Sequence, residues 1–251
     1  EREGLPSDNL TGGLAATDDG ALWVGSDRGL GVRRGGRWST VRTGDPLHDD
    51  ISDLAVARDG ALWVATRGGL RRLDRPGGAW HDFPADPTGR AGPVHATVAR
   101  LNTDRPGELW AATAGGVSRF DQRRGAWRTF GVSDGLPVAK ANDVAADREG
   151  RLWVATDAGL ARFDEGHFTA FLAASATGRG ERILSLARDA SGTLWAGGLE
   201  GLWRWDGGSG PWQRLPATRW LPAPASPPRP SPPSATRSPP KSPPSQAKSP
   251  S

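Results

Sequence analysis

The 251 residues include 35 glycines, 22 prolines and 12 tryptophans but no cysteine, methionine or tyrosine, which excludes disulfides and thiolate metal sites and favours many short strands joined by tight turns. The formal charge of +4 resides in residues 221–251, where Arg229, Arg237, Lys241 and Lys248 face no acid; the 28 basic and 28 acidic side chains left in residues 1–220 remove the electrostatic case for nucleic-acid binding. No apolar run approaches the roughly 20 residues that span a bilayer, so no membrane insertion is expected of this segment.

Glu1 is neither an initiator methionine nor the start of a signal peptide, and it reads as the beginning of a processed or excised piece. The opening Gly4-Leu-Pro-Ser-Asp-Asn-Leu10 reads as a linker, comparable with the stretch from Asp134 to Asn142. Five copies of one pattern then align without gaps: Gly20 to Leu30, Gly60 to Leu70, Gly107 to Val117, Gly150 to Leu160 and Gly192 to Leu202. Their tryptophans, Trp23, Trp63, Trp110, Trp153 and Trp195, are 40, 47, 43 and 42 residues apart. A fixed period of this size is the signature of a repeat architecture.

Each copy predicts four strands. A first strand of small and apolar residues, such as Ile51 to Ala57 or Ile183 to Ala187, ends in a turn such as Asp59-Gly60 or Ser191-Gly192. The Leu-Trp-Val stretch is a second strand suited to packing on both faces. A glycine pair such as Gly68-Gly69 or Gly115-Gly116, or its remnant Ala158-Gly159, supplies the next bend. A third strand is expected from Leu70, Val117, Leu160 and Leu202, and a fourth from Trp38, Trp80, Trp127, Phe168 and Trp212. Four strands per repeat make a propeller blade.

The predicted fold is therefore an all-β propeller in residues 1–220, with five four-stranded blades at about 8–42, 48–84, 95–131, 140–172 and 181–216. Whether five blades close a ring alone or a further blade is needed stays open; an incomplete ring exposes two blade faces and is expected to dimerise or aggregate. Residues 221–251, with twelve prolines, form a disordered, PPII-rich basic tail, read as a linker or stalk; recognition of Ser238-Pro-Pro-Lys241 by a proline-binding or anionic partner is the alternative.

At these residues the chain resembles the two-component regulator propeller repeats, sensory parts of large bacterial hybrid histidine kinases. The resemblance spans residues 4 to about 216, is nearly complete from Asp147 to Asp164, and includes the Gly-Leu-Pro linker at Gly4 and Gly135. WD40 and Kelch patterns fit less well, and streptogramin-lyase-like propellers share the Gly-x-Leu-Trp strand. The resemblance implies a sensory or ligand-binding propeller on the periplasmic or extracellular side.

No catalytic motif stands out. The periodic tryptophans read as core rather than as a carbohydrate-stacking set. Asp18-Asp19-Gly20 reads as a turn rather than a calcium loop, because its equivalents lack the second acid. His48, His81, His95 and His167 show no zinc-ligand spacing. No metal or cofactor is expected.

A ligand, whether small molecule, glycan or protein, is expected at one mouth of the channel, where the fourth-to-first and second-to-third strand connections of several blades meet. Those loops offer Asn9, Asp27, Arg28, Asp50, Arg67, His95, Asn142, Asp157, Arg182 and Glu200, with the long connections Pro84 to Thr97 and Leu172 to Arg182 as rims. Two other readings are a protein-interaction scaffold using blade rims and tail, and a lyase-like enzyme in which histidines and acids converge with a metal.

Overall fold

The structure, a computed structural model, describes residues 4–42, 44–171, 181–208 and 210–215. The predicted tail and most of the second predicted rim lie outside the described residues. Each repeat folds as one antiparallel sheet with its strands in chain order. Blade one comprises β1 (Leu14–Ala16), β2 (Leu22–Ser26), β3 (Gly29–Arg34) and β4 (Arg37–Val41); blade two comprises β5 (Ile51–Val56), β6 (Leu62–Thr66), β7 (Gly69–Leu73) and β8 (Trp80–Pro84). Blade three holds β9 (Val98–Asn102), β10 (Glu108–Thr113), β11 (Gly116–Asp121) and β12 (Ala126–Phe130), and blade four β13 (Ala141–Ala146), β14 (Leu152–Thr156), β15 (Gly159–Asp164) and β16 (His167–Phe171). Blade five holds β17 (Ile183–Arg188), β18 (Leu194–Gly198), β19 (Gly201–Trp205) and β20 (Gln213–Leu215). A four-residue helix, α1 (Pro46–Asp49), capped by Asp45 and started by Pro46, sits in the linker into blade two and was not foreseen from the sequence.

The bend between second and third strands shows why the repeat reads Thr-x-x-Gly. The hydroxyls of Ser26, Thr66, Thr113 and Thr156 are buried; each donates to the carbonyl of the glycine three residues on at 2.8–3.0 Å. Each also accepts an N–H from two residues on at 3.1–3.2 Å. The side chain thus completes a turn whose backbone groups would otherwise be unpaired. The glycine adopts positive φ, as at Gly69 (+120°), and a Cβ there would stand 2.5 Å from the Phe83 carbonyl of the neighbouring fourth strand. Blade five has Gly198 at the hydroxyl position and lacks this staple.

The core lies between blades. The repeat tryptophan of one blade, with the Leu or Val near the start of its third strand, packs on the second-strand Leu and the Val or Ala two residues on in the next. Trp23, Trp63, Trp110 and Trp153 are at most 3% exposed. Arginines on the third strand, Arg34, Arg72, Arg119 and Arg162, lie 5.2–5.8 Å from their ring centroids, adding a cation–π contact to the burial. Four of the five repeat tryptophans have an acceptor for the indole N–H: Trp23 donates to Thr17 at 3.3 Å, Trp110 to Glu108 at 2.8 Å, Trp153 to Asp147 at 3.0 Å and Trp195 to Asp189 at 2.9 Å. Ala57 occupies the place of Asp147 and Asp189 in blade two, and the Trp63 N–H is left without a partner.

Consecutive first strands pack on each other, β1 on β5, β5 on β9, β9 on β13 and β13 on β17. No comparable packing joins β17 to β1, and among the described residues the blade interfaces form four hydrophobic clusters, none between blades five and one. Among the described residues, blades five and one are therefore not packed on each other.

Candidate functional site

The predicted loop residues lie at the mouth formed by the fourth-to-first and second-to-third connections, and each linker tip rests on the bend of its own blade. In blade one the Asn9 amide donates to Asp27 at 3.2 Å. Hydrogen bonds from Ser7 and Asn9 hold the Asp27 carboxyl below the usual range. In blade two Asp50 pairs with Arg67 at 3.2 Å. In blade three His95 packs on Gly115 and accepts the Thr97 N–H at 2.9 Å.

Blades four and five are joined across their boundary. Asp157 accepts from Asn142 at 2.8 Å, from Arg182 at 2.9 Å and from Lys140 at 3.2 Å, and Asn142 also donates to the Ile183 carbonyl at 2.8 Å. Burial raises Asp157, but the hydrogen bonds from Asn142 and Lys140, with the charges of Lys140 and Arg182, outweigh it and leave its carboxyl below the usual range. Arg28 donates its N–H to Ser26, and the Glu200 carbonyl accepts from Arg214. The structure thus brings together Asn142, Asp157 and Arg182; it pairs Asn9 with Asp27 and Asp50 with Arg67; and it leaves Arg28, His95 and Glu200 in local contacts. The Pro84-to-Thr97 rim closes on Asp86, which accepts from the Thr88 side chain and from the N–H groups of Thr88, Arg90 and Ala91 and is held at about 2.

Sequence reasoning missed a collar on the first strands. The third position of this strand is Asp53, Arg100, Asp143 and Ser185 in blades two to five, each beside a β-bulge, with Gly13 at the same place in blade one. Bulges re-aim a side chain. Here they send each carboxylate to the next blade: Asp53 accepts the Leu101 N–H at 2.7 Å, and Asp143 the Leu186 N–H at 2.7 Å. Asp143 also accepts the Val144 N–H at 2.7 Å. At Gly13 a Cβ would stand 2.4 Å from the Asp53 carboxylate, so only glycine leaves room for it. The signal was present in Ile51-Ser-Asp53-Leu and Ala141-Asn-Asp143-Val, where an acid interrupts an apolar strand at one register.

Burial raises both carboxyls. Asp143 is pushed to about 6, the hydrogen bonds from Leu186 and Val144 and the charge of Arg100 opposing burial while the charge of Asp53 adds to it. Because the folded value exceeds the ordinary 3.8, folding binds this proton more tightly than the unfolded chain does. The contribution is complete below about pH 4 and is lost as pH rises through about 6. Wild type is expected to lose on the order of 2–3 kcal/mol between those limits from this group. Urea titrations of wild type and Asp143→Ala across that range test this; the variant's profile should be flatter, and parallel profiles would rule the assignment out.

At the opposite mouth, where first strands turn into second strands, a cleft of about 260 Å³ spans blades two to five and is lined by Arg58, Thr103, Asp104, Asp147, Arg148 and Arg188, among others. Asp147 is neutralised by Arg151 at 2.8 Å. Arg58 donates to the Asp104 carbonyl at 3.3 Å and Arg188 to the Asp147 carbonyl at 3.4 Å, while the nearest carboxylate to Arg188, Asp104, is 3.9 Å away. Guanidinium groups from three blades therefore edge this cleft, and those of Arg58 and Arg188 have donors to spare. Among the described residues no group of three or more histidine, aspartate or glutamate side chains is set to hold a metal ion.

Among solved structures, the extracellular domain of the hybrid two-component system BT3049 from B. thetaiotaomicron superposes with a TM-score of 0.70 at 17% identity, over 84% of this chain and 30% of that one. That of BT4673 from the same organism gives 0.69 at 23% identity, over 82% and 31%. The fold is a β-propeller, as theirs is. This propeller spans about 30% of the length of those chains. Virginiamycin B lyase from Staphylococcus aureus gives a TM-score of 0.64 at 16% identity, over 83% of the propeller and 70% of the lyase. No protein-family model and no curated protein matches the chain. The structural likeness agrees with the two-component regulator resemblance carried by the repeat. No helix among the described residues is long and apolar enough to cross a membrane.

Proposed function

We propose that the propeller is a non-catalytic, ligand-binding sensory domain of a bacterial two-component regulator, working on the periplasmic or extracellular side, and that its ligand is a small polar molecule, a glycan or a protein segment held at a channel mouth. The repeat and the likeness to extracellular domains of two-component systems support the sensory part. The observation that carries the binding part is the cleft edged by Arg58, Arg148 and Arg188, because guanidinium groups drawn from separate blades around one polar hollow suit an asymmetric ligand. The mouth at Asn142, Asp157 and Arg182 is the second candidate; its polar groups are already engaged with one another, so a ligand there must displace hydrogen bonds.

The non-catalytic reading is supported by the separation of the histidines. His48 pairs with Asp45 at 3.0 Å and His81 with Asp74 at 3.1 Å, each within its own blade or linker. A thermal-shift screen of anionic, cationic and neutral metabolites and oligosaccharides tests the proposal. A ligand at 100 times its Kd should add about 2.7 kcal/mol and raise Tm by roughly 5–10 °C, and Arg58→Ala or Arg188→Ala should abolish the rise while Asp157→Ala leaves it intact. The opposite pattern would move the site to the other mouth. No stabilising ligand, or turnover of a ligand that does bind, would overturn the reading.

A further inference from the structure

Arg58 and Arg188 come from blades two and five and converge on one residue of blade three. The Arg58 guanidinium donates to the Asp104 carbonyl at 3.3 Å, and the Arg188 guanidinium stands 3.9 Å from the Asp104 carboxylate. A separation of 3.9 Å is too long for a hydrogen bond, so the two cations are gathered at one point of the cleft without being saturated there. The packing of its strand does not call for Arg188: it pairs with Leu194 as Ala16, Val56 and Ala146 pair with Leu22, Leu62 and Leu152, where a small or apolar residue suffices. The other acids nearby are engaged elsewhere. Arg72 holds Asp59 at 2.8 Å, Arg148 and Arg151 hold Glu149 at 2.7 and 2.8 Å, and Asp189 accepts from Ser191, Thr193 and Trp195 of its own blade.

Two guanidinium groups with donors to spare, brought to the same place, match the paired oxygens of a carboxylate or phosphate. We propose that the cleft takes a small anion, carboxylate or phosphate, bridged between Arg58 and Arg188, and that the Asp104 carboxylate competes with it for Arg188. The assignment rests on the reading of this cleft as the ligand site and adds the chemical class of the ligand. A hollow of about 260 Å³ suits a small molecule rather than a polymer. The Asp104 side chain is 46% exposed, so its carboxylate can turn toward solvent as an incoming anion takes Arg188. The like charge it leaves beside the ligand costs affinity, and Asp104 therefore tunes the site without being needed to build it.

Isothermal titration calorimetry of the full chain with acetate, succinate and inorganic phosphate, at an ionic strength held constant with sodium chloride, tests this, with dimethyl succinate as the uncharged control. At least one of the three anions should bind, and which one does so separates a carboxylate ligand from a phosphate. Arg58→Ala and Arg188→Ala should each weaken that binding on the order of tenfold to a hundredfold. Asp104→Asn keeps a side-chain oxygen to accept the Asn102 amide and should tighten binding roughly fivefold, a gain that a merely structural role would not produce. Circular dichroism verifies the strands of each variant. Failure of all three anions to bind wild type and Asp104→Asn overturns the proposal, as does dimethyl succinate that binds as tightly as the best anion, or Asp104→Asn that binds no tighter than wild type. If a neutral or cationic compound from the thermal-shift screen binds with dependence on Arg58 and Arg188, the cleft remains the ligand site and only its anionic character falls. If an anion binds and loses affinity in Asp157→Ala but not in the arginine variants, the cleft itself is the wrong site.

Discussion

Truncating Trp153 to alanine is expected to destabilise the propeller by about 3–5 kcal/mol, whereas the same truncation at Trp195 should cost no more than about 1–2 kcal/mol in dilute solution. The two residues share a place in the repeat and both donate an indole hydrogen bond to the aspartate six residues earlier. They differ in what covers them. Trp153 is fully buried against Phe171, Trp205 and Trp212, with ring centroids 4.9–5.3 Å away, while among the described residues Trp195 is only half-buried. Removing a covered indole leaves a cavity that neighbouring strands cannot fill, and removing an uncovered one gives up only partial burial. Urea denaturation followed by circular dichroism at low protein concentration measures both. Equal losses would mean that Trp195 is covered in the single chain.

Gly135→Ala should cost about 3 kcal/mol or more, because two penalties combine at this position. The residue has φ +97°, where a side chain is strained, and a Cβ would stand 1.9 Å from the Phe168 carbonyl of the fourth strand in blade four. Gly4 stands in the same relation to Trp38, 2.6 Å from its carbonyl at φ +87°. The Gly-Leu-Pro linker is thus a clip: the glycine lies flat on the outer strand of the blade it enters, and Leu136 drops into the core between blades three and four. Gly150→Ala is the control, since φ is +77° but nothing lies within 4 Å of the added carbon, and a loss of only about 1–2 kcal/mol is expected from backbone strain alone. Chemical denaturation of both variants separates the clash from the strain, and equal losses would remove the clash.

The strands were legible in the sequence because each is announced twice, by the Leu-Trp-Val run and by glycines that permit only one kind of bend. The interior was legible for the same reason, since a tryptophan that recurs once per blade must fall on the same face of every sheet. Asp53 and Asp143 were overlooked because a single acid in an apolar strand has no periodic signature, and the bulge that turns it toward the next blade is a property of strand pairing. The loop residues at the first mouth were recognisable as polar, but their pairing was not: Asp157 meets Arg182 from the next blade only once the two blades are side by side. The cleft at Arg58, Arg148 and Arg188 was hidden in turns that read as ordinary Asp-Gly punctuation. That an incomplete ring would expose two blade faces was readable, but which side chains differ in burial was not, because Trp195 and Leu14 obey the repeat as faithfully as their buried counterparts.

The clip and the blade faces bear on how such a chain changes length over evolutionary time. Each blade carries its own bend and both half-faces, and blades one and four add a linker glycine on their outer strand, so a whole repeat is a self-contained genetic cassette. Gain of a cassette at either end, or loss of blade one, leaves the Asp53 and Asp143 clamps untouched, whereas loss of blade five takes the Leu186 N–H away from Asp143. Excision from the middle must rejoin two faces, and it spares the array only if the new neighbours still offer an acid to one first strand and a free N–H to the other. Blades two to five, which carry the collar and its two clamps, are therefore the segment expected to be inherited as a block.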